Sequence, residues 1–158
     1  MKSIVVYASR HGCTEKVAYL IRNILGDNTD LINIEKINLT NVDSYNNVII
    51  GGSIHKGSIQ ESVQKFCSNN LDTLLRKNVG LFLCCAMEDK YEEQFNGAFP
   101  ESLREKAIVK EYFGYEIDYE RLGFFEKIIM KKVAGIRENK FKLNKENIER
   151  LAHFFDDK

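Results

Sequence analysis

Ile4-Val5-Val6-Tyr7-Ala8-Ser9-Arg10-His11-Gly12-Cys13-Thr14-Glu15-Lys16-Val17 begins as an apolar run, ends in a small-residue loop, and passes directly into an amphipathic pattern. Residues 3–8 read as a strand buried on both faces. Val17, Leu20, Ile21, Ile24 and Leu25 then recur at helical spacing on one side. The loop between them brings backbone N–H groups and the hydroxyls of Ser9 and Thr14 to one point. The N-terminus of a helix carries unpaired donors and roughly half an elementary positive charge, so an anion is stabilised there without a lysine. The stretch therefore reads as a phosphate cradle. A Walker loop would end in Gly-Lys-Ser/Thr and a dinucleotide loop would carry three spaced glycines; this loop has one Gly and no Lys. A phosphatase loop would place an Arg where Tyr19 stands.

Around this stretch, strand-like segments at 3–8, 30–35, 46–51, 79–85 and 108–116 alternate with helical patterns at 14–26, 60–76, 91–106, 120–135 and 144–156. Asn144 is a candidate N-cap for the last of these. Such alternation predicts an α/β fold, a doubly wound parallel sheet with right-handed crossovers and helices on both faces. Its ligands bind outside the carboxyl ends of the strands at the switch point, which gathers residues 9–14, 51–58 and 85–91. The chain shows no repeat and no Pro/Gly-rich linker, and its length of 158 residues suits one domain over 1–158.

The formal net charge is zero, against nucleic-acid binding through a general basic surface. The charge is nevertheless segregated. Residues 119–145 carry eight basic residues against three acidic ones and sit near +5, leaving the remainder near −5. No apolar run approaches the ~20 residues of a membrane span, and Lys2 precedes only a short apolar strand, so a cytoplasmic protein is expected. Cys13, Cys67, Cys84 and Cys85 lack metal-site and disulfide spacing; reduced thiols and no metal are expected. Cys13 either fills a tight loop or is a thiol activated by the helix N-terminus.

Gly51-Gly52-Ser53-Ile54-His55-Lys56-Gly57-Ser58 follows the third strand, and paired glycines there allow a flat ligand to approach the backbone. His55 is either a donor to that ligand or a solvated loop residue. After the fourth strand, Ala86 and Met87 offer backbone groups, and Tyr91 is either a ring-stacking residue or a packed first-turn residue.

With these loops, the chain resembles the flavodoxin-like FMN proteins over essentially its whole length. The resemblance rests on Ser9-x-x-Gly12-x-Thr14 and on Val48-Ile49-Ile50-Gly51-Gly52-Ser53-Ile54 followed by Gly57. Within that family, Tyr119-Glu120-Arg121-Leu122-Gly123-Phe124-Phe125-Glu126-Lys127 and the Ile128 to Val133 stretch after it resemble the bacterial protoporphyrinogen oxidase branch, quinone-dependent dehydrogenases. The resemblance implies a sheet order of 2-1-3-4-5 and FMN as cofactor. It places the phosphate on Ser9, Arg10, His11, Gly12, Cys13 and Thr14, and the ring among Gly52, Ser53, Ile54, His55, Gly57, Ala86, Met87 and Tyr91. It also implies a redox partner, protein or quinone; no catalytic residue is assigned. The chain has no Trp and no net negative charge, unlike the family's electron carriers, and residues 86–106 are too short for the long basic insertion of the oxidase branch. An oxidase-like oxidoreductase and a flavodoxin-type electron carrier both stay open. Leu122, Phe125, Ile129 and Val133 repeat at helical spacing beside Lys127, Lys131 and Lys132. Residues 119–135 are therefore expected to pack on the sheet or to form an interfacial helix at the inner face of a membrane.

Overall fold

The structure, a computed structural model, describes residues 1–85 and 87–156. Strands β1 (Ser3–Tyr7), β2 (Thr29–Asn33), β3 (Asn47–Ser53), β4 (Asn78–Cys84) and β5 (Val109–Tyr112) form one parallel sheet in the order β2-β1-β3-β4-β5. The doubly wound flavodoxin-like sheet read from the sequence is thus the one observed.

The period of two along each strand sorts side chains into two cores. Ile4, Val6, Val48, Ile50, Leu81 and Leu83 face one side and meet α2 (Glu61–Asn69), α3 (Leu71–Leu74), α4 (Tyr91–Ala98) and α5 (Glu101–Lys106). Val5, Tyr7, Ile49, Phe82 and Cys84 face the other and meet α1 (Cys13–Leu25) and a last helix, α7 (Lys145–His153). With apolar residues on both faces, each central strand reads as a continuous hydrophobic run.

Several elements are shorter than the periodicity predicts, and each break has a cause. The helix expected over 60–76 divides at Asn70, whose buried amide donates to the Phe66 carbonyl at 3.0 Å. The helix expected over 91–106 divides at Phe99-Pro100, where Phe99 is extended as the residue before a proline must be. The strand expected over 108–116 stops at Tyr112. Gly114 then takes φ +74°, and a side chain there would meet the Lys142 carbonyl at 2.0 Å.

Beyond Gly114 the chain leaves the sheet in an excursion not foreseen from its pattern. β6 (Gly114–Ile117) pairs antiparallel with β7 (Lys140–Leu143), a strand that sequence reading missed. Between them run a 3-10 turn (Tyr119–Arg121), a short helix α6 (Phe124–Ile129) and a π turn (Met130–Ala134), instead of one helix over 120–135. Ile117, Leu122 and Ile136 form a small separate core there, with Tyr115, Tyr119 and Met130 against it. Phe124 is 74 % exposed and Phe125 78 %. The expectation that this segment packs on the sheet is therefore corrected: its apolar residues divide between a private core and solvent. The side chain of Val133 lies outside the described residues. Among those residues no helix is long and apolar enough to cross a membrane.

Candidate functional site

The loop between β1 and α1 is built by Ser9 and Gly12. The Ser9 Oγ accepts the Gly12 amide at 3.1 Å and the Glu15 amide at 3.3 Å, capping the first turn of α1. Gly12 stands at the N-cap with φ +87°, a left-handed conformation that suits a residue without a Cβ. With both lone pairs of Ser9 accepting, its hydroxyl hydrogen is left for another acceptor. Thr14 is buried, and its Oγ1 has no hydrogen-bond partner. A buried hydroxyl without a partner costs about 1–3 kcal/mol. An anion oxygen seated at the α1 N-terminus would relieve that cost, and a cavity of about 70 Å³ lies there, walled by Ser9, Cys13, Thr14 and Ser53 among others.

The loop after β3 closes on itself. His55 and Ser58 exchange backbone hydrogen bonds at 2.8 and 3.2 Å across Lys56 (φ +51°) and Gly57 (φ +79°), the two left-handed central residues of a type I′ turn. This turn carries the His55 ring toward the loop after β1, 6.2 Å from the His11 ring between centroids. The His55 Nε2 is buried without a partner. Burial, and then the nearby Arg10 guanidinium, hold His55 below the ordinary imidazole value, favouring the neutral ring.

After β4, Cys85 takes a place that sequence reading did not assign to it. Its thiol lies 2.5 Å from Gln94 Oε1 and accepts the Met87 amide at 3.2 Å, and its carbonyl accepts the Tyr112 hydroxyl. Burial raises the Cys85 thiol. Cys13 and Cys84 face one another at the base of the small cavity. The hydrogen bond from Cys84 pulls Cys13 below the usual thiol value, and the same contact with burial pushes Cys84 well above it. Cys13 Sγ also accepts the Glu116 amide at 3.2 Å, tying the loop after β1 to β6.

A second cavity of about 680 Å³ adjoins the first, within the range of small-molecule sites. His11, Ile54, His55, Cys85, Leu122 and Met130 wall both. Gly57 and Met87 line the larger one, with Lys56 and Lys90 at its rim. Its far wall is the excursion, through Leu122, Glu126, Ile129 and Met130. The acids at this end of the sheet each meet a basic side chain: Glu116 with Lys16 at 2.7 Å, Asp118 with Arg121 at 3.0 Å, and Glu126 with Arg10 at 3.7 Å and the His11 ring at 3.5 Å.

Ser9, Arg10, His11, Cys13, Thr14, Ser53, Ile54, His55, Gly57 and Met87 therefore come together, with Gly12 shaping the loop. Two predicted residues do not join them. At Gly52 a Cβ would lie 2.5 Å from Gln60 Oε1 and 3.0 Å from Ile59, so its missing side chain makes room for protein side chains. Its neighbour Gly51 does the same for the Phe82 ring, 2.4 Å from such a Cβ. Tyr91 packs edge-on against Phe95 and Tyr112 at 5.5 and 5.7 Å and is a packed first-turn residue. Ala86 lies outside the described residues. Cys85, Gln94 and the excursion's wall were missed. Cys85 directly ends an apolar strand, which was the available signal; the excursion's residues had none.

Comparison with known proteins bears on the family and the fold. The flavodoxin domain family matches residues 4–144. An uncharacterised protein of Methanocaldococcus jannaschii is 28 % identical over 157 residues, covering 98 % of this chain and 95 % of that one. The quinone-dependent protoporphyrinogen IX dehydrogenase of Escherichia coli is 30 % identical over 77 residues, a match to 47 % of this chain and 42 % of the enzyme. Among solved structures, oxidised flavodoxin 1 from Bacillus cereus superposes with a TM-score of 0.54 at 18 % identity, covering 98 % of this chain and 94 % of that one. With a family match over most of its length, the sheet order and the loop at the end of β1, the chain belongs to the flavodoxin domain family.

Proposed function

We propose that this chain is an FMN-binding redox protein, acting as one flavodoxin-like domain over residues 1–158. The observation that carries the reading is the unpartnered Thr14 hydroxyl, buried beside Ser9 at the α1 N-terminus and facing a phosphate-sized cavity. Ser9, Thr14 and the backbone N–H groups of residues 10–14 would hold the phosphate. The larger cleft, between the His55–Ser58 turn and Cys85–Met87, would take the ring. When bound, the flavin supplies the electron transfer, and the protein sets its orientation and exposure. His55, neutral and with a free ring nitrogen, offers a hydrogen bond to the ring or to a substrate above it.

The test is a titration followed by flavin fluorescence, with FMN against riboflavin. FMN binding at least about tenfold tighter than riboflavin, with the difference lost in Thr14→Val, is expected for a cradle that gains about 1.4 kcal/mol or more from the phosphate. Equal affinities would remove the phosphate from the loop.

Within that class we favour an oxidoreductase related to the protoporphyrinogen oxidases, handing electrons to a quinone from a peripheral position on the inner face of the membrane. What supports it is the exposed Phe124–Phe125 tip bordered by Lys127, Lys131 and Lys132, an apolar and cationic edge that suits an anionic lipid surface. The second reading, a cytoplasmic flavodoxin-type electron carrier, is favoured by the likeness to the Bacillus cereus flavodoxin across nearly the whole of both chains. Stopped-flow reoxidation of the reduced protein separates them: rapid turnover with a soluble quinone supports the first, and a preference for a protein acceptor supports the second.

A further inference from the structure

The carboxylate of Glu126 serves two elements at once. Its Oε2 accepts the Gly123 amide at 3.1 Å and so caps α6, its own helix. Its Oε1 reaches across to the phosphate loop, 3.5 Å from His11 Nε2 and 3.7 Å from Arg10 Nε. Only 23 % of the Glu126 side chain is exposed, so it faces the loop rather than solvent. On the same segment, Leu122, Ile129 and Met130 form the excursion's wall of the larger cleft. The side chains of the loop that would receive a phosphate are thus already engaged by an anion belonging to the protein, and that anion holds the cover of the cleft.

A phosphate monoester on Ser9 and Thr14 would bring close to two negative charges beside Arg10 and His11. Like charges drawing on the same side chains oppose one another, the more so at low ionic strength, where salt screens only over longer distances. Binding free energies are linked reciprocally, so whatever the bound phosphate does to the Glu126 contact, the contact does to the phosphate. We propose that Glu126 is a built-in competitor of the ligand phosphate for Arg10 and His11: loading the cradle loosens the 118–136 cover, and the closed cover weakens phosphate binding. The inference rests on the reading of Ser9–Thr14 as a phosphate cradle. It gives the excursion a role in the order of events: the cleft wall is held while the cradle is empty of phosphate and released once it is filled, admitting a second molecule beside the ring only after the cofactor is in place.

The test compares the full chain with Glu126→Gln, which keeps the oxygen that caps Gly123 and removes the charge. FMN should bind the variant about fivefold tighter, a gain that shrinks as salt rises, while riboflavin binds both proteins equally. Amide hydrogen exchange over residues 119–136 should quicken in the ligand-free variant, and in the wild-type protein when FMN is added. Unchanged FMN affinity in Glu126→Gln, or exchange over 119–136 that slows on FMN addition, overturns the competition and leaves FMN binding standing. If neither protein binds FMN, the cofactor reading falls, and inorganic phosphate at tens of millimolar takes its place: tighter phosphate binding by the variant sustains the competition, and equal or absent binding overturns it.

Discussion

Gln60 and Ser53 grip one another twice: Gln60 Oε1 accepts the Ser53 amide at 3.0 Å, and Gln60 Nε2 donates to the Ser53 Oγ at 2.8 Å. This pair spans the mouth of the loop after β3 and fixes where the chain turns toward His55. Replacing Gln60 with Leu leaves the Ser53 amide without its partner, a cost of about 1–3 kcal/mol. The expected result is a urea midpoint lowered with an unchanged m-value, together with weaker FMN binding as the His55–Ser58 turn drifts. Stability equal to wild type would mean that the pair does not hold the loop.

Gly51 and Gly12 separate two uses of glycine. A Cβ at Gly51 would lie 2.4 Å from the Phe82 ring, which cannot retreat because it is fully buried and stacked on Phe113 at 4.9 Å. Gly51→Ala is therefore expected to lose about 1–3 kcal/mol of stability by overpacking. A Cβ at Gly12 would touch nothing, and the penalty there is the left-handed backbone alone, about 1–2 kcal/mol. Thermal denaturation of both variants alongside FMN titration should show Gly51→Ala mainly as a fold defect and Gly12→Val mainly as a binding defect. The reverse pattern would contradict both assignments.

Phe124 and Phe125 touch little of the protein, their rings meeting each other edge-on at 5.6 Å. Replacing both with Ser should change stability by less than about 0.5 kcal/mol per site. Binding to anionic vesicles, measured by co-sedimentation at low salt, should be present in the wild-type protein, fall as salt rises, and vanish in the double variant. No binding by the wild-type protein, or a large loss of stability in the variant, would return these rings to a packing role.

The Gly123 amide, then the charges of His11 and Arg10, hold the Glu126 carboxyl below its ordinary value of 4.5. A depressed carboxyl contributes stability that is fully present above the ordinary value and disappears as pH falls through the lower, folded one. The capped start of α6 should accordingly persist through pH 4.5 and loosen only below it. Following the Gly123 amide by NMR during an acid titration tests this: a midpoint below 4.5 is expected, and one at or above 4.5 would show that Glu126 gains nothing from its partners.

What could be read from the letters depended on how far a residue's role was local. The parallel sheet was legible because buried strands such as Val48-Ile49-Ile50 are apolar without interruption and recur between helical stretches. The turn after β1 was legible because its geometry is made within a few residues, Ser9 capping the very helix that Cys13 begins. The crowding at Gly52 was not legible because its partners, Gln60 and Ile59, sit on the next turn of chain, and a glycine in the sequence looks the same whether a ligand or a side chain fills the space. Tyr91 depended on Tyr112, a residue on the neighbouring strand. The excursion was least legible. Its apolar spacing fits a single helix, but Gly123 and the π turn break the register, and Leu122 and Phe125, neighbours in the pattern, end in a private core and in solvent.

The point at which the chain leaves the sheet is also the point to which it returns. Asn144 donates its amide to the carbonyl of Phe113 at 2.8 Å, so the two ends of the thirty-residue excursion are already joined by a hydrogen bond. Neither core of the sheet draws a fully buried residue from between them. A chain joined from Phe113 to Asn144 through a short turn would keep its five strands and both layers of helices while losing the far wall of the cleft. The body of the molecule is in that sense a chassis with a socket. The segment plugged into the socket can be exchanged for another without redesigning the sheet, but its Glu116 and Glu126 leave with it, and with them the contacts to Cys13, His11 and Arg10 in the loop beneath.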